Sequence, residues 1–306
     1  MTKTVYYLSP SSFCFGVKRS IDQLDDIISR YPGEKIFCVH SLVHNPKVTS
    51  LFKKQWIFFV ENIDDIHYEK AIVVFSAHGT NREIITKARK NFTAVYNLEC
   101  PFVTKIYSEI DGFIQQGITT FFYLGKKDHQ EGKNILWYIA SQWGTSYAFQ
   151  DKESIPQIEK NTAFAVISQT TLNFDYVQEI FKEIKKRYAN ATLPTTSDVC
   201  KATYERQEVV LQNLDMFDTF IVIGGKESNN TKELYTIGVK NDKKSFYWES
   251  LEDILENWEE ELFINDRIAI TWWASTPIED IKEVFDYYKN HGYEPEILEI
   301  HNVKIK

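Results

Sequence analysis

Three cysteines occupy the same kind of place in this sequence. "FCFGVKRS", "ECPFVTKIYSE" and "VCKATYERQE" each set a cysteine at the start of a helical pattern, and Cys14, Cys100 and Cys200 lie 86 and 100 residues apart. A thiol at a helix N-terminus faces the positive end of the helix dipole, which favours the thiolate. Thiolates suit nucleophilic catalysis or metal ligation, and spacing alone also leaves open three small buried residues. A closed zinc site needs a fourth N or S ligand. Three thiolates on a four-iron cluster would leave one iron open to a substrate. Cys38 lies inside the apolar run "KIFCVH" and reads as a core residue.

Polar turns supply the other chemistry. His44 in "HSLVHN", His78 in "SAHG" and His129 in "KDHQEG" each follow or close a strand-like run. "HSLVH" has the spacing of a zinc-protease helix but lacks its glutamate, which excludes a metalloprotease and leaves His40 structural. Glu131 stands two residues after His129, where a carboxyl raised in pKa by burial serves as a proton donor. "SQTTL" offers Thr170 and Thr171 before a helix, and "KESNNT" offers Ser228, Asn229 and Asn230 before another. "ASTPIEDI" pairs Thr276 with Glu279 as a capping box, with Pro277 at the first helical position, and leaves Ser275 over that N-terminus. Hydroxyls, amides and free helical N–H groups form an anion cradle. With three histidines, and with neither a Walker loop nor a G-x-G-x-x-G loop, they point to a diphosphate held by side chains.

The elements that must position these residues are legible as apolar runs and helical periodicity. Strands are expected at Val5–Leu8, Ile36–Val39, Ala71–Phe75, Thr119–Leu124, Ala163–Ile167, Thr219–Ile223 and Ile268–Thr271, and strand character also runs from Thr93 to Asn97. Most are continuous apolar runs, as parallel strands covered on both faces require. Helices are expected at Val17–Tyr31, Asn81–Lys90, Phe102–Gln116, Phe174–Tyr188, Ala202–Leu214 and Pro277–Asn290. The alternation predicts α/β architecture with small, mostly parallel sheets. It also carries a weak threefold repeat, each third bearing one cysteine and a polar turn at strand ends, where open α/β sheets gather ligands. The expected units span residues 1–99 with Cys14, His44 and His78, and 100–199 with Cys100, His129, Glu131 and Thr170. The third spans 200–306, with Cys200, Ser228, Asn230, Ser275 and a C-terminal strand.

Composition narrows the function class. A net charge of −8 over 306 residues argues against a nucleic-acid partner, which calls for a basic face. No apolar run approaches the roughly 18 residues of a membrane span, and the N-terminus lacks a secretory h-region. A cytoplasmic protein is expected, and in that reducing compartment four cysteines are thiols or ligands rather than disulfides.

Taken in order, "FCFGV", "HSLVHN", "FSAHG", "CPFVTK", "DHQEG", "QTTL", "DVCKATYERQ", "GGKESNN" and "ASTP" resemble the IspH (LytB) family of 4-hydroxy-3-methylbut-2-enyl diphosphate reductases over nearly the whole chain. The resemblance implies a trefoil of three similar α/β/α units around a central 4Fe–4S cluster, which air oxidation converts to a 3Fe–4S form. It implies Cys14, Cys100 and Cys200 as cluster ligands. His44, His78, His129, Ser228, Asn229, Asn230 and Ser275 would hold the substrate diphosphate. Glu131 would supply protons, and Thr170 would orient the substrate alcohol, with Thr171 a weaker candidate beside it. The implied reaction is reductive dehydroxylation to isopentenyl and dimethylallyl diphosphate at the open iron, the last step of the methylerythritol phosphate pathway. Ferredoxin or flavodoxin would be the electron donor. A sibling reductase acting on another allylic diphosphate, or a non-catalytic iron–sulfur or phosphate-binding module, are the rival readings. The chain departs from the family at "GKKDHQEG", at Lys201, at Asn229 and at "TWWAS", where Trp272 and Trp273 replace a small pair beside Ser275. Those two rings would either line the substrate or turn away from it.

Overall fold

Short apolar strands linked by amphipathic helices build three parallel sheets. The structure is a computed structural model and describes residues 3–43, 45–226, 228–256 and 267–300. The strands are β1 (Lys3–Leu8), β2 (Ile36–Val39), β3 (Ile57–Val60), β4 (Ile72–Phe75), β5 (Ala94–Asn97), β6 (Thr120–Leu124) and β7 (Thr145–Phe149). They continue with β8 (Phe164–Ser168), β9 (Ala191–Thr192), β10 (Thr219–Ile223), β11 (Lys244–Trp248), β12 (Ile268–Trp272) and β13 (Tyr293–Leu298). The helices are α1 (Phe15–Arg30), α2 (Pro46–Lys54), α3 (Arg82–Asn91), α4 (Pro101–Gln115) and α5 (Gln130–Ser141). They continue with α6 (Phe174–Arg187), α7 (Lys201–Gln212), α8 (Asn229–Lys240), α9 (Leu251–Glu256) and α10 (Ile278–Asn290).

The sheet orders are β3-β2-β4-β5, β7-β6-β8-β9 and β11-β10-β12-β1-β13. Each therefore runs second, first, third, fourth, and the repeat hinted at in the sequence is a repeat of topology. In the last sheet the fourth strand is the N-terminal β1, parallel to β12 with Tyr6 opposite Ala269. On its other side β1 pairs with β13 over six residues. The chain separates into two compact units. One contains Met1–Phe15, His44–Val48 and Lys201–Lys306, and so holds the five-stranded sheet. The other contains Gly16–Val43 and Thr49–Cys200 and holds both four-stranded sheets.

Interior strands are buried on both faces. β4, β8, β10 and β12 are buried at every residue. Each large apolar side chain so placed contributes roughly 2 kcal/mol by leaving water. Helix ends are fixed locally: Asn81 caps α3, Asn173 caps α6 and Ser228 caps α8, each accepting from main-chain N–H groups of the first turn.

Candidate active site

In every sheet the first and third strands are neighbours, and the chain departs from them in opposite directions. That is a topological switch point, and ligands bind beyond the carboxyl ends of such strands. The singled-out residues sit there. "HSLVHN", "GKKDHQEG" and "GGKESNN" follow the first strands β2, β6 and β10, while "SAHG", "SQTT" and "ASTP" follow the third strands β4, β8 and β12. Cys100, Cys200 and Cys14 follow the fourth strands β5, β9 and β1.

Each cysteine is tied to the third-strand turn of its own sheet by one main-chain bond. Cys100 N donates to Ala77 O at 3.0 Å, Cys200 N to Thr170 O at 3.0 Å and Cys14 N to Ala274 O at 3.1 Å. Ala77 precedes His78 and Ala274 precedes Ser275, so each thiol is fixed beside a residue of the polar turns. The three cysteines are in no disulfide and are half-buried, whereas Cys38 is buried. Helices α1, α4 and α7, which follow the three cysteines, carry no acid in their first turns, unlike α3, α6 and α10. Their positive ends are left for another anion. Among the described residues, no three His, Cys, Asp or Glu side chains are grouped closely enough to hold a metal ion by themselves. Half-buried cysteines outside any disulfide, at helix starts without a first-turn acid, are nevertheless the donor chemistry that an iron–sulfur cluster takes. Cys38 fits its core assignment: its thiol donates to His40 O at 3.3 Å, and burial pushes its pKa up to about 12.

The turns after β6 and β8 are stapled together around Glu131, which is 3 % exposed. Thr170 N donates to Glu131 Oε1 at 2.8 Å, and Thr170 Oγ1 donates to Oε2 at 2.9 Å. Burial pushes the Glu131 carboxyl up to about 7, against the downward pull of those two bonds. His129 caps α5: its Nδ1 accepts from Glu131 N at 3.3 Å. A neutral ring accepting at Nδ1 carries its proton on Nε2, which is then the donor available to an anion. Gln169 closes the staple, accepting from Lys126 N at 3.2 Å and donating to Thr171 Oγ1 at 3.2 Å. Gly132 is required here, because a Cβ would stand 2.2 Å from Lys126 O.

The His78 turn belongs to the same unit. Ser76 Oγ lies 3.4 Å from His78 Nδ1. Asn134 of α5 donates from Nδ2 to Gly79 O at 2.7 Å, which binds this turn to the helix that begins at His129. Gly79 has φ +86°, and a Cβ there would stand 3.0 Å from Tyr107 Oη and 3.2 Å from Glu99 Oε2. His78, His129, Glu131 and Thr170 are thus linked through a few short turns.

The remaining candidates lie in the other unit. His44 falls outside the described residues. Its neighbour Asn45 caps α2, accepting from Lys47 N at 2.9 Å and Val48 N at 3.2 Å, and donates from Nδ2 to Ser275 O at 2.8 Å. Lys47 also pairs with the buried Asp280 of α10. Ser228 is the N-cap of α8, and Asn229 and Asn230 occupy its first turn. The pattern of hydroxyls and amides did not single out Asn45, although it lies within the quoted "HSLVHN"; its contacts are to main-chain atoms, which leave no residue signature.

Trp272 and Trp273 point to opposite faces of their sheet, as successive strand residues do. Trp272 is fully buried against Tyr7, Ile281 and Tyr288, stacked on Tyr7 at 5.3 Å. Trp273 lies in the cluster that includes Val222, Leu234 and the half-buried Cys14, with the Arg206 guanidinium 5.6 Å from its ring. Of the two expectations for the pair, Trp272 is turned into the core, and only Trp273 shares a cluster with a candidate ligand.

The sequence pattern of the family described as LytB protein matches residues 5–289. A 4-hydroxy-3-methylbut-2-enyl diphosphate reductase of Wolbachia pipientis subsp. Culex pipiens is 30% identical over 92% of this chain and 90% of its own length. One of the same name from Buchnera aphidicola is 33% identical over 93% of this chain and 90% of its own length. A solved structure of the E-1-hydroxy-2-methyl-but-2-enyl-4-diphosphate reductase from Plasmodium falciparum has the same fold. Its TM-score is 0.89 at 21% identity, covering 100% of this chain and 95% of that one. Among the described residues, no helix is long and apolar enough to cross a membrane.

Proposed function

We propose, from the premise that the chain belongs to the LytB protein family, that it reduces 4-hydroxy-3-methylbut-2-enyl diphosphate to isopentenyl and dimethylallyl diphosphate. This is the closing step of the methylerythritol phosphate route to isoprenoids, and it is placed in the cytoplasm. The observation that carries the reading is the buried Glu131 carboxyl, gripped by Thr170 next to the amide of Cys200. A proton donor for water loss at neutral pH needs a carboxyl of raised pKa inside a site, and Glu131 is one.

Balance requires two electrons and two protons for each hydroxyl lost as water. Cys14, Cys100 and Cys200 would hold a 4Fe–4S cluster as thiolates, and that group supplies single electrons when bound. A ferredoxin or flavodoxin is the donor proposed to feed it. Everything else falls to side chains. Glu131 holds a proton near neutral pH, and Thr170 Oγ1, already bonded to it, is the hydroxyl through which that proton reaches the substrate alcohol. His129 offers Nε2–H to the diphosphate, His78 belongs to the turn after β4, and His44 is proposed as the third histidine. Ser228, Asn229, Asn230 and Ser275 add neutral donors, with the positive N-terminal end of α8 beneath them. Neutral donors and helix ends fix the diphosphate, so the carbon chain is oriented before protonation.

The test is turnover of 4-hydroxy-3-methylbut-2-enyl diphosphate by anaerobically reconstituted protein with a dithionite-reduced viologen as electron source. Iron and sulfide in the protein together with turnover are expected. A chain that retains its cluster but leaves this substrate untouched refutes the assignment.

A further inference from the structure

Residues 193–200 connect β9 to α7, carry Cys200 and contain neither helix nor strand. Their anchors are individual bonds. Val199 N donates to Ser197 Oγ at 3.1 Å, and Cys200 N donates to Thr170 O at 3.0 Å. Asp198 is 2 % exposed, and its Oδ2 accepts from Ser168 N at 2.7 Å. The other anchor comes from α4, the helix capped by Cys100. Lys105 Nζ donates to Ser197 O at 2.9 Å and to Thr196 O at 3.3 Å. The same ammonium lies 3.2 Å from Glu109 Oε1 and 3.7 Å from Asp198 Oδ1.

We propose that Lys105 is a positioning residue that ties the Cys200 segment to the helix headed by Cys100, so that two thiols 100 positions apart are presented with one fixed spacing. The proposal rests on the reading that both thiols are cluster ligands. Three observations carry it. Lys105 stands little more than one helical turn after Cys100, and its partners lie two to four residues before Cys200. Two of those partners are main-chain carbonyls, so the ammonium fixes the path of the backbone as well as balancing acids. The site is also largely shielded: the Lys105 side chain is 31 % exposed and that of Asp198 is 0 % exposed. A solvated lysine–carboxylate pair would hold little, but one ammonium bridging two successive main-chain carbonyls and a buried acid has no comparable partner in water.

The test uses the full chain carrying Lys105→Met or Lys105→Arg, reconstituted anaerobically beside the unaltered protein. Removing an outer group that orients a ligand typically weakens metal retention by about 10–100-fold. Lys105→Met is therefore expected to release iron to a chelator at least about tenfold faster and to broaden the electron paramagnetic resonance signal of the reduced cluster. Lys105→Arg, which keeps the charge and donors, is expected to restore most of the retention. Amide exchange read on the iron-free chain is independent of the cluster: the Cys200 and Val199 amides should exchange at least about tenfold faster in Lys105→Met, with β6 unchanged. Iron release, resonance line shape and exchange all matching the unaltered protein would overturn the proposal. Unaltered protein that takes up no iron would instead refute the ligand assignment beneath it. Faster exchange with unchanged iron release would reduce Lys105 to a loop anchor and overturn its role toward the thiols.

Discussion

The amide of Cys200 and the hydroxyl of Thr170 meet Glu131 in one chain of contacts. Cys200 N donates to Thr170 O at 3.0 Å, while Thr170 N and Oγ1 both donate to the Glu131 carboxyl. The backbone that places the thiol therefore also places the acid, and neither can shift without the other. Each part can be perturbed separately.

Glu131→Gln removes the titrating proton while keeping the shape and an acceptor for Thr170. Turnover should fall by about 10²–10⁴-fold, the range for a lost general acid, with iron and sulfide unchanged. In the unaltered enzyme, turnover should decline above the carboxyl pKa of about 7, because the proton donor is then ionised. A pH–rate profile that stays flat to pH 9 would contradict this role.

The same group should appear in stability. Its carboxyl is raised from 4.5 to about 7 in the folded chain. Below about pH 4.5 both folded and unfolded forms are protonated, and between 4.5 and 7 the folded chain holds more protons, so stability declines as pH rises. Above 7 the ionised buried carboxylate costs on the order of 3 kcal/mol. Iron-free Glu131→Gln should melt higher than the unaltered protein at pH 8 and converge with it toward pH 4.5, by calorimetry.

Thr170→Val deletes the hydroxyl bond that pulls the Glu131 pKa down and leaves the main-chain N–H bond. The carboxyl pKa should move further up, carrying the alkaline limb of the pH–rate profile with it by roughly one unit or less. The maximal rate should fall as well, since the proton loses its hydroxyl route.

Asn45→Ala frees the carbonyl of Ser275 and uncaps α2, at a cost of about 1–2 kcal/mol. Because its contact is to Ser275, one of the residues proposed to hold the diphosphate, the Michaelis constant for the diphosphate should rise several-fold, with kcat and iron content nearly unchanged. Steady-state kinetics with cluster-replete protein would check this.

Cys38→Ser should retain the cluster, because that thiol is buried and donates to His40 O within its own turn. Cys100→Ser should lose most of it. Equal iron loss in both variants would overturn the ligand assignment.

Much of the fold was readable because interior strands are uniformly apolar. β1, β2, β4, β6, β8, β10 and β12 are apolar runs expected from the sequence and lie inside their sheets, and the edge strands β5 and β13 were expected as well. β7 and β11 carry exposed or half-exposed polar and aromatic residues along one edge, and β9 is two residues long, so they gave no such run. The thiols, His129, Glu131 and Thr170 stand out in the sequence because side chains of their types can do chemistry. Asn134, Asn45 and Lys105 do not, because each acts by donating to main-chain carbonyls that any residue can supply. The partnership of Cys14 with Ala274 was also hidden, since it depends on β1 pairing with a strand near the other end of the chain.

That pairing has a consequence for biosynthesis. β1 is made before β12 and β13, yet its places beside them exist only once residue 298 has been made. At elongation rates of roughly 5–20 residues per second, β1 waits roughly 15–60 s for its neighbours. Until then Cys14 has no Ala274 carbonyl to hold it, so a nascent or C-terminally truncated chain cannot present that thiol correctly. Under the proposed ligand assignment, loading of iron and sulfide therefore waits until residue 298 has been made.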